Sequence, residues 1–142
     1  MNETNEYKKS VLLATSLSYV VVILDTTIVN IALGRIAASL GADVTGLQWV
    51  VNAYTLTFAS LLLTGGLLGD RLGARQVYLA GLLVFAAASA LCGMSANLTM
   101  LVAARVLQGL GAALLVPCSL TLISAAYPDA KERAGAIGVW AG

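Results

Sequence analysis

Four long apolar stretches limit the folds open to this chain more than any other feature. They cover about residues 10–33, 47–68, 76–93 and 98–126, and a fifth apolar pattern starts at about residue 134. A membrane-spanning helix needs about 20 predominantly apolar residues. Lipid offers the backbone no hydrogen-bonding partners, and the alternation of a β-barrel strand is missing. The sequence therefore predicts an all-α integral membrane protein with four complete transmembrane helices and the start of a fifth.

Composition agrees with a membrane location. Hydrophobic residues make up 59% of the chain and charged residues 11%, whereas a soluble domain carries about 25% charged residues. A formal net charge of +1 provides no basic face for nucleic acid. Cys92 and Cys118 lie inside apolar stretches without His or a second Cys nearby. We therefore expect free thiols and no metal site. An enzyme is the least favoured class, because no nucleophile–base pair or phosphate loop is recognisable.

The basic residues predict the orientation of the chain. One side carries six of them, Lys8, Lys9, Arg71, Arg75, Lys131 and Arg133, and the other side carries only Arg35. Lys and Arg concentrate on the cytoplasmic side of a membrane. We therefore expect residues 1–9 to form a cytoplasmic N-terminal segment. Residues 10–142 are then an N-terminal transmembrane bundle in the cell membrane.

Two charged residues lie inside the apolar stretches. A charge at the centre of a membrane helix costs about 2.5–3.5 kcal/mol on insertion scales, so such residues are candidates for function. Asp25 lies about 22 Å from the cytoplasmic side and Arg105 about 21 Å, at 1.5 Å per residue in a core of about 30 Å. An ion pair between them is therefore geometrically feasible. A static pair that only joins two helices is the structural alternative.

Asp25 has the chemistry that proton coupling requires. Burial favours the neutral form of a carboxyl group and a nearby arginine favours the charged form. A group balanced between the two effects can bind a proton on one side of a membrane and release it on the other. The chain contains no His, and Asp25 is the only acidic residue within a span. Asp25 is thus the candidate proton site, and Arg105 is its partner.

Small and polar residues follow helical spacing on the second and fourth spans. The candidate cavity-lining positions are Gln48, Asn52 and Thr55 on the second span, and Gln108 and Gly109 on the fourth. Residues three or four apart share a helix face. Ordinary helix–helix contacts use the same residue types, so packing is the alternative interpretation. Trp49, Tyr54 and Tyr78 lie near span ends, where aromatic anchors of the membrane interface occur.

The connection between the second and third spans resembles the signature loop of the major facilitator superfamily. Residues 66–76 read GLLGDRLGARQ, with a glycine, three residues, Asp-Arg, one residue, a glycine and then a basic residue. Ala74 departs from the pattern, in which a basic residue is usual. The resemblance implies a gating loop formed by Gly66, Asp70, Arg71, Gly73 and Arg75.

Three further segments are similar to drug:proton antiporters of this superfamily with fourteen spans. They are residues 24–33 (LDTTIVNIAL), 47–54 (LQWVVNAY) and 105–113 (RVLQGLGAA). The first resembles the first-helix motif, with Gly34 where Pro is common, and the last resembles the fourth-helix motif. The resemblance implies proton coupling by Asp25 and Arg105. The glycine-rich fifth-helix motif with Gly-Pro is not in the chain, so the direction of transport rests on the resemblance alone.

The expected function is proton-coupled efflux of drugs or other small hydrophobic or cationic compounds by alternating access. The chain would be an N-terminal fragment of a six-helix bundle, whose partners are the lipid bilayer and the missing C-terminal half of the carrier. Protons are the coupling ion, and no other cofactor, metal or nucleic acid is expected. Two alternatives are a small four-helix efflux protein that acts as an oligomer and a non-transporting membrane assembly protein.

Overall fold

The computed structural model describes residues 2–142, which form five α-helices and no strand. The helices are α1 (Asn2–Leu40), α2 (Val44–Leu72), α3 (Ala74–Gly93), α4 (Leu98–Ala126) and α5 (Ala130–Ala141). The first four are long and apolar enough to cross a membrane. The predicted fold class is therefore confirmed for the described part of the chain.

Helix α1 extends beyond the predicted span at both ends. Its 39 residues give a length of about 58 Å at 1.5 Å per residue, nearly twice the hydrocarbon thickness. Hydropathy detects only the apolar part of such a helix, so the sequence did not predict that residues 2–9 and 34–40 are also helical. Arg35, expected in a connection, lies inside α1, and the connection to α2 shrinks to residues 41–43.

Capping side chains and one glycine set the other helix boundaries. The side chain of Asp43 accepts a hydrogen bond from Gly46 N at 2.7 Å and caps α2. Asp129 accepts from the amides of Lys131 and Glu132, and α5 therefore begins about four residues earlier than predicted. Gly73 alone separates α2 from α3, and its φ of 97° explains why this position requires glycine.

Helix α4 is the centre of the bundle and packs closely on α2 and α3. A Cβ atom at Gly111 would lie 2.7 Å from Phe85 N, so α3 approaches the α4 backbone directly. On the other side, a Cβ atom at Gly65 of α2 would collide with the Ala113 carbonyl oxygen. Pro117 removes the helical N–H partner of that carbonyl. The proline and the facing glycine thus belong to one tight contact.

Helix α1 contacts the rest of the bundle through individual side chains at several points along its length. The Tyr78 hydroxyl of α3 lies 3.0 Å from Ala14 O and 2.9 Å from Ser18 Oγ on α1. Tyr78 is only 6% exposed, so its prediction as an interfacial anchor is wrong. Towards α5, Tyr19 stacks on Trp140 with ring centroids 4.2 Å apart.

Candidate functional site

Asp25 of α1 meets Arg105 and Gln108 of α4 in a closed hydrogen-bond network. Arg105 Nη1 donates to Asp25 Oδ2 at 2.5 Å and to Gln108 Oε1 at 2.7 Å. Gln108 Nε2 in turn donates to Asp25 Oδ1 at 2.8 Å. Arg105 and Gln108 lie one helical turn apart, which lets both side chains reach the same carboxylate. We call these three side chains the carboxylate network.

The guanidinium group of Arg105 is held from two further sides by α2. Its Nε donates to Val50 O at 3.2 Å, and its Cζ lies 4.4 Å from the ring centroid of Tyr54. Only 1% of the Arg105 side chain is exposed, against 14% for Asp25. A buried charge is tolerated when it is paired and hydrogen-bonded, and Arg105 meets both conditions. Within the described residues, Asp25 is therefore the member of the pair whose side chain remains partly exposed.

Tyr54 is a site residue that the sequence interpretation missed. It was expected at the membrane interface, but it is 6% exposed and stacks under Arg105. Trp49 is 54% exposed, in keeping with its predicted position. The helical register of α2 held a usable signal, because Val50 and Tyr54 are four residues apart and therefore share one face.

The thiol of Cys92 on α3 extends the carboxylate network. Its Sγ donates to Gln108 Oε1 at 3.2 Å. Cys118 lies elsewhere in the core, 1% exposed, with its Sγ 3.8 Å from Gly65 O. Both cysteines are free thiols. Within residues 2–142, no three His, Cys, Asp or Glu side chains gather in a metal-binding group.

The predicted cavity residues divide into two sets. Gln48, Asn52 and Thr55 are exposed on α2 and do not join the carboxylate network. Gln108 belongs to that network and is fully buried. Gly109 is buried against α2: a Cβ atom there would lie 2.6 Å from Tyr54 O, so the glycine permits close packing of α4 on α2.

The predicted gating loop lies apart from the carboxylate network, at the other end of the bundle. Asp70, Arg71, Gly73 and Arg75 are exposed, and Gly66 is half-buried beside Pro117. Asp70 and the two arginines form no salt bridge with any residue from 2 to 142. These charges are therefore free to pair with groups outside the described chain.

The carboxylate network can respond chemically to a proton. As a charged group, Asp25 accepts hydrogen bonds from Arg105 and Gln108 through both of its oxygens. A proton on either oxygen removes the negative charge and one acceptor site. The attraction between α1 and α4 would then weaken while Arg105 keeps its charge. The arrangement can thus convert proton binding into a change in helix contact.

Comparison with known proteins gives one family match and several close relatives. The family profile described as Major Facilitator Superfamily matches residues 15–142. The chain is 48% identical, over 93% of its length, to a protein of Bacillus subtilis named "Methylenomycin A resistance protein". It is 44% identical over 91% of its length to "Multidrug resistance protein Stp" of Mycobacterium tuberculosis. It is also 44% identical over 92% of its length to "Tetracenomycin C resistance and export protein" of Streptomyces glaucescens.

These alignments cover only part of each relative. They include 28% of the Bacillus subtilis protein and 24% of each of the other two. The chain thus spans about a quarter of the length of the curated relatives that it matches.

Proposed function

The chain belongs to the major facilitator superfamily, and from this premise we propose that it serves in a proton-coupled exporter of small hydrophobic or cationic compounds. Its several apolar helices make it part of a multi-pass membrane protein. The proposal places it in the cell membrane with a cytoplasmic N-terminus. Transport proceeds by alternating access, in which two bundles of helices rock about a central site.

The carboxylate network is the observation that carries this proposal. Ionisable residues inside membrane helices are energetically costly, and those that occur usually mark functional sites. Here Asp25 and Arg105 pair with each other, and both are hydrogen-bonded to Gln108. Protons are the coupling ion, bound by Asp25, and no resident cofactor or catalytic activity is proposed. Arg105 supplies the fixed positive charge that alternately pairs with and separates from the carboxylate.

Substrates and partners are proposed from the names of the relatives. Two of those names refer to resistance against a single antibiotic and one to multidrug resistance. The substrate class proposed here is accordingly small drug-like compounds. The protein partner is the remaining part of the carrier, and the exposed face of Gln48, Asn52 and Thr55 is proposed to line the substrate cavity.

The loop of Gly66, Asp70, Arg71, Gly73 and Arg75 is proposed as the gate. Its exposed charges have no ion-pair partner within the described residues, which fits a contact made with another part of the carrier. Membership of the superfamily leaves the unrelated four-helix efflux class without support. A non-transporting assembly protein would not require the carboxylate network.

Replacement of the proton-binding carboxylate tests the function. In cells that carry the complete gene containing this chain, we expect Asp25→Asn to abolish efflux of ethidium driven by a proton gradient. The amide cannot exchange a proton, yet it preserves the size of the side chain. Membrane insertion, measured by the amount of protein in the membrane fraction, should be unchanged.

Asp43→Asn is the matched control. It makes the same chemical change in the connection before α2, where Asn caps a helix about as well as Asp. Efflux by this variant should equal that of the wild type. Unchanged efflux by Asp25→Asn would remove Asp25 from the mechanism.

A further inference from the structure

A cavity on the α3 side of α1 reaches the carboxylate of Asp25. It has a volume of about 440 Å³ and lies between α1, α3 and α4. Asp25 forms its inner end, and Ser39 and Ser95 belong to its other end, close to the termini of α1 and α3. Because one water molecule occupies about 30 Å³ in the liquid, the cavity can hold a file of several waters.

The α1 wall of this cavity follows one helical face. It consists of Asp25, Ile28, Val29, Ala32, Ile36 and Ser39, a spacing of three and four residues that keeps the wall on one side of the helix. From Asp25 to Ser39 this face extends about 21 Å at 1.5 Å per residue. Ser89 and Cys92 line the cavity from α3 and Ser95 from the connection to α4, and all three offer polar groups along its length.

A second cavity lies on the α2 side of α1 and does not include Asp25. Its volume is about 310 Å³, and Tyr19, Thr26, Tyr54 and Phe58 are among its lining residues. Tyr54 separates it from the guanidinium group of Arg105, since the ring packs on that group at 4.4 Å. Of these two cavities, only the one on the α3 side has a member of the ion pair among its lining residues, the carboxylate of Asp25.

We propose that the cavity between α1, α3 and α4 is a proton passage from the outer surface to Asp25. This inference rests on the proposed function and on the orientation given there. A proton passes from water in the passage to a carboxylate oxygen of Asp25. One O–H bond breaks in the donor hydronium ion and one forms at Asp25, while Arg105 keeps its proton and its charge.

Four groups face Asp25 and determine how it responds. Arg105 and Gln108 approach from α4, Tyr54 from α2 lies behind Arg105, and Cys92 from α3 donates to Gln108. Arg105 is the only charged group among them. A proton that arrives through the passage therefore competes with the hydrogen bonds that Arg105 and Gln108 donate to the carboxylate.

Cys92 provides a natural probe of the passage and Cys118 a natural control. The complete gene product, with any cysteine outside residues 1–142 replaced by serine, is treated in right-side-out membrane vesicles with a membrane-impermeant methanethiosulfonate that carries a trimethylammonium group. The Cys118→Ser variant should be labelled from outside, and the Cys92→Ser variant should lose that labelling. A Cys92 thiol that reacts only after the vesicles are permeabilised would overturn the proposal.

Ala32→Leu tests the passage through transport. Ala32 lines the cavity, whereas Ala38 on the same helix is exposed and is not among its lining residues. We expect Ala32→Leu to slow ethidium efflux driven by a pH gradient several-fold, because the larger side chain interrupts the file of water. Ethidium exchange at equal pH on both sides should remain at the wild-type rate. Ala38→Leu should change neither rate.

The outcomes distinguish this inference from the proposed function. If the wild type shows no pH-driven efflux, the proposed function fails. If the wild type exports ethidium and Ala32→Leu does so at the same rate, the passage is wrong and the function stands. An equal loss of efflux and exchange in Ala32→Leu would show structural damage and would also contradict the passage.

Discussion

Helices α1 and α4 share the ion pair but are built into the bundle in opposite ways. Within residues 2–142, which span about a quarter of the length of the relatives, half of the apolar 18-residue window of α4 is buried, against 17% for α1. Glycines let the backbones of α2 and α3 contact α4 directly, as at Gly111. Helix α1 meets its neighbours through side chains, both polar ones such as Asp25 and the Ser18 partner of Tyr78 and apolar ones such as Val22 and Tyr19.

This difference indicates which of the two helices is held more tightly within the described residues. Close packing through small residues leaves little room for displacement, since interiors are as dense as organic crystals. Polar contacts beside cavities can be broken one at a time, and protonation is one way to break them. Within residues 2–142, α4 is therefore the tightly packed helix and α1 the more loosely held one.

The largest effect on the free energy of unfolding is expected when the positive charge of Arg105 on α4 is removed. Arg105→Met leaves the Asp25 carboxylate without its partner, and breaking a buried pair in this way costs about 3–5 kcal/mol. Reversible unfolding in detergent measures the change in the free energy of unfolding. Adding Asp25→Asn to Arg105→Met should recover part of the loss. No recovery would mean that Arg105 acts through packing and not through charge.

The next effect concerns the glycine contacts of α4. Gly111→Ala places a Cβ atom against backbone atoms of α3, and overpacking of this kind costs about 1–3 kcal/mol. Gly34→Ala on α1 is the matched control, because no atom lies within 4 Å of its Cβ position. There the substitution should stabilise the helix by about 0.5–1 kcal/mol. Equal effects at the two sites, measured by thermal unfolding, would contradict the difference between the helices.

A smaller effect is expected where α3 holds α1. Tyr78→Phe removes the hydroxyl that contacts Ala14 O and Ser18 Oγ, a loss of about 0.5–1.5 kcal/mol. Because the contact is local to α1, hydrogen exchange should increase in the first half of α1 and stay unchanged in α4. Faster exchange in both helices would show that they form one cooperative unit.

The smallest effect belongs to the surface pair between α1 and α5. Lys8 Nζ lies 2.6 Å from Glu132 Oε2, but 54% of the Glu132 side chain is exposed. Removing the pair with Lys8→Ala should cost about 0.2–1 kcal/mol, and the cost should fall as salt is added. Lys9→Ala is the control, since Lys9 is 3.7 Å from Glu6 within the same helix. A salt-independent loss would indicate that Lys8 acts through its contact with the Tyr127 ring, whose centroid lies 5.4 Å from Nζ, and not through the ion pair.

The extent of sequence-based prediction differs between the fold and the site. The lengths of the apolar stretches alone predicted four transmembrane helices and the start of a fifth, because lipid restricts the backbone to helices. Asp25 and Arg105 were identifiable because a charge in an apolar stretch stands out. The roles of Tyr54 and Tyr78 were not predicted, since an aromatic residue near a span end reads as an interfacial anchor whether or not another helix covers it.

Sequence by itself determined the class of fold, the family motifs and the two charges inside the spans. These properties follow from composition and from position along one helix. Tertiary structure alone decided that Gln108 and Cys92 join the carboxylate network, that Gly109 packs, and that a cavity beside α1 reaches Asp25. Each of these depends on the distance between side chains of different helices, which the relative rotation of those helices sets and which no pattern within a single helix specifies.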